Sequence, residues 1–392
     1  MTKPSAPKMT ELAFGGLLAL AIGLGISRFV FTPILPFMEE GLGLGKSDAG
    51  LIASANFLGY LIGALLAIRQ SLPGSLRFWF LSALMICALT TGLMGLTDSL
   101  PVFLVLRFVG GVASAIVMIF GTTLILSRFA AEGRSSLTSL YFAGVGVGIS
   151  LSSLLIMALI SYGADWQEMW IWSGALSGLL LLPVFWLVPR DGKSTDAAIT
   201  PPRLIFSPRL KALILSYFLL GFGYIITATF ISALVRHIPG LQWMQTPVWL
   251  VVGLAGIPSV PIWSWVGRRL GNHNSYAIAS LCLAVGVAGS VFAASEGAVF
   301  LSALLLGGTF MGMSAVGLVH SREILPDNAR QILAVMTLAF GLGQTIGPVF
   351  AGYAYDYFGN FVAASLIAAV GLVVAALLTG RVNVAPLQSS ER

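Results

Sequence analysis

Long apolar runs alternate with short polar segments along the whole chain, and twelve of these runs are long enough to cross a bilayer as helices. A transmembrane helix needs about 20 apolar residues, whereas a membrane β-barrel strand is a segment of about ten residues with alternating polarity. The runs therefore predict an all-α integral membrane protein with 12 transmembrane helices. In chain order they cover residues 12–38, 49–68, 78–97, 101–126, 136–162, 169–188, 212–235, 247–266, 275–295, 298–319, 331–355 and 361–380.

The composition excludes a water-soluble protein. Of the 392 residues, 57% are hydrophobic and only 9% are charged, against about 25% charged residues in ordinary globular chains. The mean hydropathy of +0.94 leaves too little polar surface to cover a soluble domain of this size. The first apolar run is longer than the roughly 7–15 residues of a signal-peptide core, so we expect it to be retained as a span.

The net charge of +6 reflects membrane topology rather than nucleic-acid binding. With both termini in the cytoplasm, 17 of the 21 Lys and Arg residues fall in cytoplasmic segments, and only Lys46 and Arg236 fall in outer loops. Arg28 and Arg107 lie within spans. Because Lys and Arg accumulate on the cytoplasmic side of membrane proteins, we expect a multi-pass protein of the cell inner (plasma) membrane with both termini cytoplasmic.

The longest polar stretch divides the chain into two similar halves. Residues 190–209 are rich in Pro, Ser, Thr and Asp, which is typical of a linker. Gly23-Leu-Gly25 recurs as Gly221-Phe-Gly223 after 198 residues, one of several repeats in register. Parallel six-helix repeats build one large class of secondary transporters. The predicted units are two pseudo-symmetric six-helix bundles, 1–189 and 210–392, joined by a cytoplasmic linker.

Several short motifs carry a family resemblance. Arg107 is followed by small residues up to Ala115 in the fourth run, the eleventh run contains Gly343-Gln-Thr-Ile-Gly347-Pro348, and Gly267-Arg268-Arg269 follows the eighth run. In these motifs the chain resembles the major facilitator superfamily (MFS) over nearly its whole length. The stretches Gly25–Pro33 and Gly221–Thr229 are similar to those of the bacterial YbfB-like subgroup. The resemblance implies the MFS fold, although the Asp of the family's cytoplasmic loop motif is missing in both halves.

Charges inside the predicted spans are the most informative about function. All 15 Asp and Glu lie at helix ends or in loops, but Arg28 lies about 15 Å and Arg107 about 9 Å from the nearest end of its run, at 1.5 Å per residue. A buried cation costs several kcal/mol and indicates a functional site. Arg28 is predicted to bind an anion, to support the structure or to gate. Arg107 is predicted to bond the carbonyl groups of a broken first helix or to bind ligand.

Polar side chains at similar depth complete a candidate site. Asn56 and Tyr60 are four residues apart and therefore share one face of their helix. For each tyrosine the alternative is a packed ring with a satisfied hydroxyl group. We predict no catalytic residue and no metal ligand. The predicted substrate-binding residues are Arg28, Asn56, Tyr60, Arg107, Tyr141, Tyr224 and Gln344.

The sequence favours a secondary transporter that works by alternating access. We find no P-loop, dinucleotide-binding, zinc-protease or serine-nucleophile motif in a suitable context, so we expect neither an ATP-driven pump nor an enzyme, and no cofactor. Uncompensated positive charge favours a small organic anion as the substrate of a monomeric protein without a nucleic-acid partner. The 24 Phe and 12 Met leave efflux of hydrophobic or amphipathic compounds as the alternative. A membrane receptor or sensor on a transporter fold is a more remote alternative.

Overall fold

The computed structural model describes residues 9–67, 74–134, 136–188, 207–325 and 328–380. Within these ranges eleven helices are long and apolar enough to cross a bilayer, and one bent helix pair completes the twelve predicted spans, here numbered 1 to 12. Their bounds are Met9–Leu42, Lys46–Ala67, Leu76–Leu96, Leu100–Ala131, Leu137–Ser161, Trp166–Leu187, Pro208–Arg236, Gln242–Gly256 with Ser259–Leu270, Asn272–Phe292, Glu296–Ile324, Gln331–Phe358 and Val362–Thr379.

Span 1 is longer than predicted and is interrupted in its middle. Its first α-helix ends at Leu20, and a π-helical turn covers Ala21–Ile26. The α-helix restarts at Phe31 after a turn at residues 27–30. Pro33 has no N–H to donate to the preceding turn, and its ring crowds the carbonyl group four residues earlier, so a regular helix cannot continue through this point. The break leaves carbonyl groups of the turn available to side chains.

Span 8 is bent by 45° where the apolar pattern predicts one helix over residues 247–266. The helices Gln242–Gly256 and Ser259–Leu270 meet at Pro258. A proline in this position cannot donate to the carbonyl group four residues earlier, which explains the bend. The predicted span is confirmed in position, but its helix is interrupted.

Two pairs of glycines pack in the same way in the two halves. A Cβ atom built on Gly144 or Gly148 in span 5 would lie 2.1 or 2.4 Å from a carbonyl oxygen of span 1. A Cβ atom built on Gly343 or Gly347 in span 11 would lie 2.3 or 3.1 Å from a carbonyl oxygen of span 7. Helices in lipid associate through such close backbone approach. The first and fifth helices of each half thus make the same contact, as pseudo-symmetry requires.

Most of the predicted linker, 190–209, lies outside the described residues. Span 6 ends at Leu187, and span 7 begins at Pro208. The end of the predicted linker is therefore already part of span 7. The division of the chain into units 1–189 and 210–392 stays a prediction.

Candidate substrate-binding site

Arg28 lies at the break in span 1 and contacts the opposite half of the molecule. Its side chain is only 5% exposed. The Nη2 atom of Arg28 donates a hydrogen bond of 2.6 Å to Oε1 of Gln344 in span 11. Gln344 in turn donates through Nε2 to the hydroxyl oxygen of Tyr224 in span 7. Three of the residues selected from the sequence thus form one chain of polar contacts across the two halves.

Aromatic rings surround the guanidinium group of Arg28. Its Cζ atom lies 4.5 Å from the ring centroid of Tyr60, 4.6 Å from that of Phe57 and 5.5 Å from that of Phe29. A cation within about 6 Å of an aromatic ring is attracted to its face. Tyr60, selected as a polar residue, therefore contributes its ring to the site.

A second aromatic group lies around Tyr224. Its ring stacks between Phe310 and Phe340, with centroid distances of 5.5 and 5.7 Å and an interplanar angle of 12° in both pairs. Phe29 connects the two groups, because its centroid lies 6.2 Å from that of Phe310 and 6.1 Å from that of Trp249. Sequence reasoning missed these phenylalanines, since aromatic residues are common in the core of any membrane bundle and carry no individual signal.

Arg107 supports the break in span 1. Its Nη1 and Nη2 atoms donate hydrogen bonds of 2.7 and 2.9 Å to the carbonyl oxygens of Ser27 and Arg28. Asn56 donates through Nδ2 to the carbonyl oxygen of Arg107 at 2.9 Å. These contacts match the alternative in which Arg107 bonds the carbonyl groups of a broken first helix. Asn56 bonds the backbone of Arg107 and so belongs to the same group of contacts. A ligand-binding role for either residue stays a prediction.

Tyr141 lies apart from these contacts. Its ring is fully buried and packs edge-on against Phe142 at a centroid distance of 5.2 Å. A Cβ atom built on Gly16 would lie 2.6 Å from the Tyr141 ring, and Gly16 is about 18 Å from Arg28 along span 1 at 1.5 Å per residue. The packing alternative fits this position, although the hydroxyl group has no hydrogen-bond partner among the described residues.

Arg28 has no acidic partner among the described residues, as the sequence predicts. The ion pairs in that part of the chain join Lys46 to Glu39, Arg236 to Glu40 and His320 to Glu323. All of them lie near the ends of spans. Two buried donors close to the aromatic groups also lack a partner within the described residues, namely Nε of Arg28 and the indole N–H of Trp249.

A separate cavity of about 470 Å³ opens in the C-terminal half, where spans 8 and 10 end and span 9 begins. Arg268, His273 and His320 are among its lining residues. This cavity lies within one half, whereas alternating access requires a site that both halves share. The contact between Arg28 and Gln344 meets that condition, and we therefore take it as the centre of the candidate site.

Comparison with known proteins decides the family. The family described as "Uncharacterised MFS-type transporter YbfB" matches residues 20–380. The chain belongs to the major facilitator superfamily. It is 24% identical to the uncharacterized MFS-type transporter YceJ of Bacillus subtilis, with 91% of this chain and 92% of the relative covered. A putative tartrate transporter of Agrobacterium vitis is 23% identical, with 87% of this chain and 83% of the relative covered.

Solved structures agree with this assignment. The nucleoside transporter NupG superposes with a TM-score of 0.72 at 16% identity and covers 95% of this chain and 98% of its own. A bacterial homolog of the human lysosomal transporter Spinster, inward-facing and unoccupied, gives 0.68 at 16% identity, with coverage of 97% and 98%. At this identity the likeness concerns the fold alone. The superpositions confirm the predicted MFS fold of two pseudo-symmetric six-helix bundles. As a member of this family with twelve apolar spans among its described residues, the chain is a multi-pass inner-membrane protein.

Proposed function

We propose that this MFS protein moves a small organic anion across the inner membrane by alternating access, with Arg28 as the anion-binding group. The supporting observation is that Arg28 is buried between the halves without an acidic partner in the described part of the chain. A buried cation without a counter-charge destabilises the empty protein. An anionic ligand would remove that penalty.

Gln344 does not use all the donors of the Arg28 guanidinium group. Nε and Nη2 form one edge of the planar guanidinium group, and this edge can give two parallel hydrogen bonds to a carboxylate. Gln344 accepts only from Nη2, while Nε is buried without a partner. A carboxylate in the place of the Gln344 amide would accept both bonds and add an opposite charge.

Hydrogen bonds between the halves support alternating access. In addition to the bond between Arg28 and Gln344, further hydrogen bonds between the halves lie toward one end of the bundle. They join Thr32 to the carbonyl oxygen of Ala228, Arg236 to that of Pro36, and the N–H of Ser47 to the Asp356 carboxylate. The orientation predicted from the distribution of Lys and Arg puts this end outside. In the proposed cycle this conformation is the one closed to the outside, and transport requires these contacts to open.

Labelling with thiol reagents tests the orientation. In a background with Cys87→Ser and Cys282→Ser, Tyr162→Cys should react with a membrane-impermeant reagent in intact cells. Glu132→Cys should react only after lysis. Both positions are exposed in the structure. Reaction of Glu132→Cys in intact cells would exclude the cytoplasmic assignment of this loop.

Solute counterflow in proteoliposomes tests the function. Vesicles containing the purified protein are loaded with an unlabelled organic acid and diluted into the same labelled acid. We expect transient accumulation of the label for a carboxylate or a sulfonate, and none for the neutral amide of the same compound. Arg28→Gln should reduce the accumulation to that of protein-free vesicles. Equal counterflow of the acid and its amide would contradict an anion-binding site.

Efflux of amphipathic compounds is the second candidate function. The aromatic rings around Arg28 and Tyr224 favour it, because such rings bind flat apolar molecules. Counterflow of an uncharged amphipathic dye that is unaffected by Arg28→Gln would support this candidate over anion transport.

A further inference from the structure

We infer that the ligand of this site is an aromatic monocarboxylate, a single carboxylate carried on a flat ring. The inference rests on the proposed function and narrows its substrate from organic anions in general to one chemical class. Three features of the described residues carry it: the number of free cations, the aromatic character of the walls, and the buried donors without partners.

The site offers one cation to a ligand. Arg107 is the other arginine deep in a span. Both of its Nη atoms are bonded to carbonyl oxygens of span 1, which leaves only its Nε without a partner in the described residues, so it cannot give a carboxylate two parallel bonds without releasing the break in span 1. The other described Lys and Arg residues lie near span ends or in loops. A ligand bound to Arg28 therefore has one negative charge neutralised. A second carboxylate would enter a region of aromatic rings and remain without a cation, which is costly in a medium of low polarity.

Aromatic rings lie against both ends of the polar chain that runs from Arg28 to Tyr224. The ring centroids of Phe57 and Tyr60 in span 2 lie 4.6 and 4.5 Å from the guanidinium carbon of Arg28. At the other end of the chain, Phe310 of span 10 stacks on Tyr224. Aromatic pairs gain about 0.5–1.5 kcal/mol beyond the burial of their area. A planar ring attached to the carboxylate would make such contacts, whereas an aliphatic chain would gain only from burial.

Two unpartnered donors lie at the Arg28 guanidinium group and next to the Phe29 ring that borders it. Nε of Arg28 completes the pair of donors for one carboxylate. The indole N–H of Trp249 is buried without a partner among the described residues, and its ring lies 6.1 Å from Phe29, which borders the Arg28 guanidinium group. A buried donor without a partner is costly, and an acceptor on the ligand would remove that cost. A hydroxyl or carbonyl oxygen on the ring of the ligand would accept a hydrogen bond from the Trp249 indole.

Four small probes separate these features in titration calorimetry of the purified full-length protein. Benzoate and benzamide differ in charge, benzoate and cyclohexanecarboxylate differ in aromatic character, and benzoate and succinate differ in the number of carboxylates. We expect benzoate to bind about two- to twelvefold more tightly than cyclohexanecarboxylate, the factor that corresponds to an aromatic pair of about 0.5–1.5 kcal/mol. Succinate and benzamide should bind more than about tenfold more weakly than benzoate, because each leaves a charge without a partner.

Substitutions of the stacked rings provide the second readout. Phe310→Leu should weaken benzoate binding by about the same two- to twelvefold and leave cyclohexanecarboxylate binding within about twofold. Phe340→Leu replaces it as the test variant if Phe310→Leu does not fold. The matched control is Phe292→Leu, whose ring is 63% exposed at the end of span 9. It should bind both acids like the unmodified protein.

The outcomes distinguish this inference from the proposed function. Succinate or cyclohexanecarboxylate binding as tightly as benzoate would overturn the inference, and the loss of that binding in Arg28→Gln would leave anion transport standing. Benzoate binding that is unchanged in Arg28→Gln would overturn both. The absence of binding for all four probes would overturn the aromatic class, while counterflow with a wider panel of acids still tests the function.

Discussion

The guanidinium group of Arg28 in span 1 donates a hydrogen bond of 2.6 Å to the amide oxygen of Gln344 in span 11, 316 residues later in the chain. The bond joins the two halves in a buried setting, where water does not compete for it and its strength is accordingly greater. The same edge of Arg28 is the one that a carboxylate would use. Ligand binding and release of this contact between the halves are therefore coupled in the proposed transport cycle.

Replacing Gln344 with glutamate should block the site. The new carboxylate would pair with Arg28, so we expect affinity for anionic ligands to fall more than about tenfold while the melting temperature is maintained or rises. Gln331→Glu, at the start of the same span, is the control and should leave both unchanged. Calorimetry and thermal unfolding of the purified variants measure these effects. Normal anion affinity in Gln344→Glu would show that the ligand does not use Arg28.

Removing the guanidinium group of Arg107 should destabilise the fold. Arg107→Gln loses two charged hydrogen bonds to carbonyl oxygens of the break in span 1, each worth about 1.5–3 kcal/mol. The control is Arg77→Gln, because Arg77 also donates to two carbonyl oxygens but is partly exposed, so water can replace the lost bonds. We expect a clearly larger drop in melting temperature for Arg107→Gln. Equal drops would show that the break does not depend on Arg107.

The sequence predicts the spans well because lipid leaves the backbone few alternatives to the helix. Depth along each helix also follows from the sequence: Arg28 lies deep in its span whereas every Asp and Glu lies at a helix end or in a loop, so the sequence predicts that Arg28 lacks a carboxylate partner. The side of the helix on which a residue lies does not follow so directly. Tyr141 differs from Arg28 in depth itself, because it lies only four residues after the start of span 5 at Leu137 and packs against Gly16 near the start of span 1.

The sequence alone does not identify the hydrogen-bond partner of Arg28, because that contact depends on how the helices pack. Gln344 was selected as a polar residue at a suitable depth, but its contact with Arg28 depends on how span 11 packs against span 1. Phe310 and Phe340 are equally hidden in the sequence, since a stacked phenylalanine and a lipid-facing one occupy the same kind of apolar run. Only the packing of the helices shows which phenylalanines stack in the site and which face lipid.

The glycines between spans 1 and 5 provide a test of the packing. Gly148→Ala would place a Cβ atom 2.4 Å from the carbonyl oxygen of Ala21, and overpacking of this kind costs about 1–3 kcal/mol. Gly178→Ala is the control, because no atom beyond its own stretch of helix backbone lies within 4 Å of the added Cβ, and alanine is a better helix former than glycine. Thermal unfolding should show a loss for Gly148→Ala and no loss for Gly178→Ala. The reverse order would contradict the described helix contact.

Cross-linking the closed end should stop transport. The Ser47 N–H lies 3.2 Å from the carboxylate of Asp356 across the halves, so Ser47→Cys with Asp356→Cys should be joined by a short bifunctional thiol reagent. Counterflow should then cease. Ser47→Cys with Tyr162→Cys, both in the N-terminal half, is the control and should keep its counterflow after treatment. Full activity of the cross-linked pair would rule out opening at this end.

The most direct test of the central claim measures anion affinity and thermal stability on the same purified Arg28 variants. Arg28→Lys keeps the charge but loses the planar pair of donors, and Arg28→Gln loses both. We predict that affinity falls in the order Arg, Lys, Gln, with about 2–5 kcal/mol of binding free energy lost in Arg28→Gln. Stability should change less, because Arg28 lacks an acidic partner among the described residues. Normal affinity in Arg28→Gln, together with a lower melting temperature, would contradict the claim and make Arg28 a structural support.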